Sequence, residues 1–498
     1  MASTLNRKVF ARPRWLVVTG AGELERRAAA DAAALIQQHV PYVLQTHVSA
    51  CDRARLRRHN LLLVGTRKSN PLIAALIDDG KLRALRKEQS YAITVLPSPF
   101  NPKRQILALA GADERGVLYA ARDWEHYCHD PYVTSLQRRF RPVPHLARPR
   151  PKGVAFHEPV PEWGLRSAPA VPGRGVWTWG HVVYDYEAFF EHMSRWKMNT
   201  FVCWNDFAPA NASEIVAAAH RLGIDVIWGY TWCWGEEVDP RRPDQLARWR
   251  DRIIRTYEEQ YEPLGGDGIY FQTFTETSKL TIGRTTIAEL ATRWVNDIAG
   301  ALLERHPDLA IQFGVHATSI RQNVRHLAAV DPRVHLVWED AGCFPYRYDP
   351  GDVSTVGKTA AYTRRLAGLR GGNAEAGFVL KGMTSLYWPV FEHQLGPFVM
   401  GRGDRDFIRR RAAEVAPRWK QVEIGWRKHL GAVCRTVRAA ADGRPKRLTV
   451  TGLVEDGMWE AYMPLAPCLF AEVLWDPREE PEALIAKVSA ARDVTCFA

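Results

Sequence analysis

From Gly153 to its end the chain repeats one pattern: a short apolar or aromatic run of strand length, a polar break, then a helical stretch. The runs are GVWTW, NTFVCWN, DVIWGYTW, GIYFQTF, AIQFGVH, VHLVWED, GFVLKGMTS and one inside RLTVTGLVEDGMWEAYMPLAPCLFAEVLW. Segments such as DYEAFFEHMSRWK, ASEIVAAAHRLG, PDQLARWRDRIIRTYEEQY and TIAELATRWVNDIAGALLERH separate them with helical periodicity. Parallel strands need a crossover connection, usually a helix, and eight such units predict a (β/α)₈ TIM barrel. A doubly wound open sheet is built from the same units; the number of units and the chemistry of the strand ends favour the barrel.

A chain of 498 residues exceeds the usual span of one domain. Residues 1–150 read as a small α/β domain, with strand patterns RWLVVTG, NLLLVGT, SYAITVLP and QILALAG alternating with helical LERRAAADAAALIQQHV, NPLIAALIDDGKL and ERGVLYAARDWEHY. The turn TGAGELE departs from a dinucleotide loop, since Glu25 stands where the third glycine of G-x-G-x-x-G belongs. The Pro- and Arg-rich run RRFRPVPHLARPRPKG, Arg138 to Gly153, has linker chemistry and sets the boundary. Residues 151–498 form the expected barrel domain.

The net charge of +12 comes from arginines spread along the chain without a nucleic-acid motif, so no nucleic-acid partner is expected. The eight cysteines form no C-x-x-C pair, and no H-x-x-x-H or H-E-x-x-H occurs, which argues against disulfide, zinc or other cofactor dependence. No run reaches the roughly 18 apolar residues of a membrane span, and no secretory leader pattern opens the chain, so a cytoplasmic protein is expected. Arg402 to Arg444 is helical, basic and long for one barrel helix, which suits a subunit contact in a homo-oligomer.

Barrel active sites are assembled at the C-terminal ends of the strands. Those ends carry Trp177, Trp179 and His181; Trp204, Asn205 and Asp206; Tyr230, Trp232 and Trp234; Gln272, Thr275 and Glu276; His316; Trp338, Glu339 and Asp340; and Trp388. Aromatic platforms interleaved with carboxylates and amides suit a carbohydrate, which offers an apolar C–H face and a rim of hydroxyls. A protein of high positive charge also suits an acidic sugar. Asp206 fits either a substrate hydroxyl or the N-cap of the next helix, and His181 and His316 fit hydroxyls or a substrate carboxylate.

Strand four runs into Glu276, where a carboxyl among aromatics and hydroxyls is expected to be partly desolvated and to keep its proton as a general acid. Glycoside hydrolysis requires a second carboxyl group, to attack or to activate water. VWEDAG at the end of strand six supplies Glu339 and Asp340, and because neighbours on a strand point opposite ways, one of the two faces the pocket. A sugar-binding protein without turnover is the alternative from another class. A lyase using Tyr230, Tyr346 or Tyr387 as base is a third.

The module ending GADERGVLYAARDWEHY, followed by RGVWTWGHVVYDYEAFFEHMSRWKMNTFVCWND, resembles glycoside hydrolases that place a small zincin-like α/β domain before a (β/α)₈ barrel. These include the bacterial α-glucuronidases and the β-N-acetylhexosaminidases, and the likeness covers nearly the whole chain. The Gly-Gly-Asp-Glu run of the hexosaminidases is replaced here by GDGIYFQTFTE, which leaves the α-glucuronidase arrangement as the better match. That resemblance implies an exo-acting, metal-independent, inverting hydrolase with Glu276 as acid and Glu339 or Asp340 as base. A β-N-acetylhexosaminidase-like hydrolase is the alternative within the same group.

Overall fold

The computed structural model describes residues 14–498 except 38–42, 49–50, 126–162, 181, 206, 234, 342–354, 382–393, 395, 454–457 and 492. The chain divides into two compact units, Met1–Pro169 and Ala170–Ala498.

The first unit is built on a six-stranded sheet of β1 (Trp15–Thr19), β2 (Leu44–His47), β3 (Asn60–Thr66), β4 (Tyr91–Ser98), β5 (Asn101–Gly111) and β6 (Trp163–Ser167), in the order β2-β1-β3-β5-β4-β6. β1, β2, β3 and β5 run parallel, while β4 pairs antiparallel with both β5 and β6. The sequence reading found β1, β3, β4 and β5 and missed β2, whose residues are largely exposed, and β6, which lies beyond residue 150. In the TGAGELE turn, the fully buried Glu25 carboxylate accepts the backbone N–H groups of Gly22 and Thr66, both at 3.1 Å. A protein carboxylate therefore takes the loop amides that a dinucleotide phosphate would need.

The second unit is a closed parallel barrel of β7 (Gly173–Trp179), β8 (Thr200–Trp204), β9 (Asp225–Gly229), β10 (Gly268–Gln272), β11 (Ile311–Val315), β12 (Val334–Ala341), β13 (Ala376–Leu380) and β14 (Leu448–Leu453). Each strand pairs with its neighbour in sequence, and β14 closes on β7 with Leu453 opposite Trp177. All eight expected strands are present, and the fold is a (β/α)₈ TIM barrel with an additional α/β domain.

The helix Ile287–Arg305 shows why the outer layer forms. Thr286 caps it by accepting the Glu289 N–H at 3.2 Å, Glu289 and Arg305 suit its two dipole ends, and Ile287, Leu290, Ala291, Trp294, Ile298 and Leu302 make a buried stripe at helical spacing. Each large member of that stripe contributes about 1.5–3 kcal/mol by leaving water. The basic segment after β13 is helical as expected, over Arg405–Asp442. No helix among the described residues is long and apolar enough to cross a membrane.

Candidate active site

Period-two alternation divides the aromatic residues of the barrel between two layers. Trp177, Val202, Trp204, Ile227, Tyr270, Val337, Val379 and Leu453 pack together inside the barrel, with Trp179 half-buried against them. On β12, Val337 belongs to this inner group, whereas Leu336 and Trp338 belong to the layer between barrel and helices. Glu339, two residues after Val337, shares the inner face and is 3% exposed. Glu339 thus lies inside; the Asp340 side chain lies outside the described residues.

Inside the barrel the Tyr270 hydroxyl donates to Glu339 Oε2 at 2.9 Å. The Tyr270 ring is held edge-on by Trp177 and Trp204, with centroids 5.9 and 5.3 Å away. His316, at the end of β11, places Nε2 3.8 Å from the same Glu339 oxygen, beyond hydrogen-bond reach. Burial, with a smaller push from Lys381, lowers the His316 pKa to about 3. Both effects favour the neutral ring. Lys381, directly after β13, sets Nζ 4.6 Å from the Trp177 ring centroid in a cation–π contact.

Glycines make room for these groups. A Cβ on Gly314 of β11 would lie 2.1 Å from the Tyr270 hydroxyl and 3.0 Å from Glu339 Oε2. A Cβ on Gly229 would come within 2.5 Å of the Trp204 ring. Two buried polar atoms at the same end, Trp177 Nε1 and His316 Nδ1, have no hydrogen-bond partner among the described residues. Buried donors and acceptors in that state suit a polar ligand or water.

The other predicted residues are placed as follows. Gln272 is buried at the end of β10. Asn205 donates to the Gln394 carbonyl at 3.1 Å and accepts the Phe207 N–H at 3.2 Å, so its amide ties two loops together. Trp232 stacks on Phe271 at 3.5 Å, Tyr230 on Tyr261 at 4.5 Å, and Trp338 meets Tyr362 edge-on at 4.6 Å. These three rings are each at most 3% exposed and fill the outer hydrophobic layer. Burial also drives the Tyr230 phenol well above its usual range, which disfavours its use as a base. His181, Asp206, Trp234, Tyr346, Tyr387 and Trp388 lie outside the described residues.

Glu276 differs from expectation in its surroundings. β10 ends at Gln272, and the chain leaves the strand through a turn before reaching Glu276, which is exposed rather than desolvated. It lines a cavity of about 770 Å³ together with Cys233, Glu236, Arg241, Phe274 and Lys279. Sequence reasoning did not select Tyr270, Gly314 or Lys381. The parity of Tyr270 with Gln272 was the available signal for the first; nothing local marked the other two.

No protein-family model and no curated protein matches the chain. Solved structures with similar folds include CpGH84D, at 12% identity over 95% of this chain and 67% of that one, with a TM-score of 0.53. CpGH84B follows at 10% identity, 96% and 71% coverage and a TM-score of 0.53. A mutant Streptomyces plicatus β-hexosaminidase in complex with its product GlcNAc has 11% identity, 97% and 90% coverage and a TM-score of 0.50. At these identities the likeness shows the fold alone.

Proposed function

We propose that the protein is a glycoside hydrolase acting on a carbohydrate from the C-terminal mouth of its barrel. The observation that carries this reading is Glu339: a carboxylate buried at a strand end, hydrogen-bonded by Tyr270 and beside His316, with Tyr270 itself packed among Trp177 and Trp204 and Trp179 half-buried against that group. Such a wall combines apolar faces for a sugar ring with a carboxylate able to attack or to activate water. The fold it shares with a β-hexosaminidase is one on which glycosidic chemistry is performed, and this raises the weight of the reading by analogy.

In finer detail, the reading is of an exo-acting, metal-independent and inverting enzyme, with Glu276 as acid and Glu339 as base about 6.5–9.5 Å apart in the working state. Glu276 would be desolvated only when substrate covers it, because it is exposed without one. The N-terminal unit would be a zincin-like accessory domain with a structural role. The exposure of Glu276 also favours a second reading, a sugar-binding protein without turnover.

Wild type, Glu339→Gln and Glu276→Gln are compared on a panel of aryl glycosides and uronides by aglycone release. The expected outcome is activity on one sugar class that falls by at least about a thousandfold in Glu339→Gln, with sugar binding retained. Sugar binding without turnover in wild type would establish the binding-protein reading instead.

A further inference from the structure

We infer that Tyr270 is a positioning residue for Glu339, with Gly314 reserving the space for its hydroxyl, and that this hydrogen bond favours the ionised carboxylate against the cost of its burial. The inference rests on the glycoside hydrolase reading for its catalytic meaning.

A phenol has one proton, and here it points at Glu339 Oε2 from 2.9 Å. A hydrogen bond donated to a carboxylate favours the charged form and fixes the direction of its remaining lone pairs. Tyr270 is fully buried, and its ring packs edge-on against Trp177 and Trp204 at interplanar angles of 74° and 85°, which restricts the hydroxyl to this position. The neighbouring strand is shaped to this contact: any side chain on Gly314 would strike the hydroxyl and the carboxylate together.

Two histidines and a lysine also reach the interior from adjoining strands among the described residues. Burial favours the neutral form of His316, just after β11, and of His335, lower on β12, whose pKa it brings to about 4. Lys381 beyond β13 is the cation on that side, close enough to act on His316. None of them supplies a negative charge that would drive a proton onto Glu339. The Tyr270 hydrogen bond therefore favours Glu339 in the base or nucleophile role.

The test uses Tyr270→Phe, Gly314→Ala and Glu339→Gln in the full chain. On whichever aryl glycoside the wild type turns over, Tyr270→Phe should lower kcat about tenfold to a hundredfold, as loss of a hydrogen bond to a charged group does, with KM little changed. The acidic limb of the kcat/KM profile should move to higher pH. Infrared difference spectra across a pH series, with Glu339→Gln as the blank, read the protonated-carboxyl stretch of Glu339 without any substrate. That band should appear at higher pH in Tyr270→Phe than in wild type, and Gly314→Ala should reproduce the shift by displacing the hydroxyl. An unchanged infrared midpoint in both variants overturns the inference whether or not a substrate is found. Full activity in Glu339→Gln would remove Glu339 from the chemistry, and absence of turnover in wild type would defeat the glycosidase reading, while the infrared midpoint would still decide the role of Tyr270.

Discussion

Trp179 and Trp338 look alike in the sequence, each an indole near the end of a barrel strand, yet they have different neighbours. Trp179 is half-buried against the inner cluster at the mouth, and Trp338 is fully buried against Tyr362 and Phe378 in the outer layer. Trp338→Ala should therefore cost about 3–5 kcal/mol of stability, because a large core side chain is lost and the site collapses incompletely. Trp179→Ala should leave the denaturation midpoint within experimental scatter and weaken sugar binding about threefold to tenfold, the range of one aromatic contact. Denaturant unfolding and calorimetric titration of both variants separate these effects. Equal loss of stability in the two would refute the assignment of layers.

At the scale of elements, the loop before β8 is tied to the C-terminal helices by charge. Glu472, on the helix Leu465–Trp475, is 3% exposed and takes Lys197 Nζ at 3.2 Å and Lys487 Nζ at 2.7 Å. Burial raises its pKa, but the ammonium groups of Lys197 and then Lys487 outweigh this and bring it down to about 2. Lys197 is itself buried, with φ of 57° and its ammonium 4.9 Å from the centre of the Trp475 ring. Glu472→Gln leaves that ammonium uncompensated and should cost about 3–5 kcal/mol. The double variant Lys197→Met, Glu472→Met should be less destabilised than the single one, as a thermal melt of each would record.

The whole molecule should lose stability towards both acid and alkali. His316 and His335 have folded pKa values of about 3 and about 4, below the ordinary 6.5, so the unfolded chain binds more protons in between. Their contribution is present above about pH 6.5 and is lost as pH falls towards 4 and then 3. Glu460 is the opposite case. Burial raises its pKa to about 7 against the backbone N–H groups it accepts, including that of Tyr184 at 2.8 Å. Its contribution is complete below about pH 4.5 and is lost as pH rises through 7. The melting temperature should therefore peak near pH 6 to 7. His335→Gln should flatten the acid side and Glu460→Gln the alkaline side, and a profile that neither variant alters would contradict these burial effects.

Much of the architecture was legible in the chain because strand runs and helical stripes are local patterns with periods of about 2 and 3.6 residues. The eight barrel strands, the four inner strands of the N-terminal sheet and the helix after β13 all follow from such patterns. The exposed edge strand Leu44–His47 carries little apolar signal, and Trp163–Ser167 finds its partner, β4, far earlier in the chain. Alternation also stated that one of Glu339 and Asp340 faces inward, without saying which. That choice depends on the register in which the barrel closes, a property of all eight strands together. The same closure brings Tyr270 and Gly314 to Glu339, places Lys381 over Trp177, and turns Tyr230, Trp232 and Trp338 into the outer layer. The residue types available to the site were written in the sequence; their grouping around one buried carboxylate was decided by tertiary structure, because contacts between separate strands exist only once the sheet has closed.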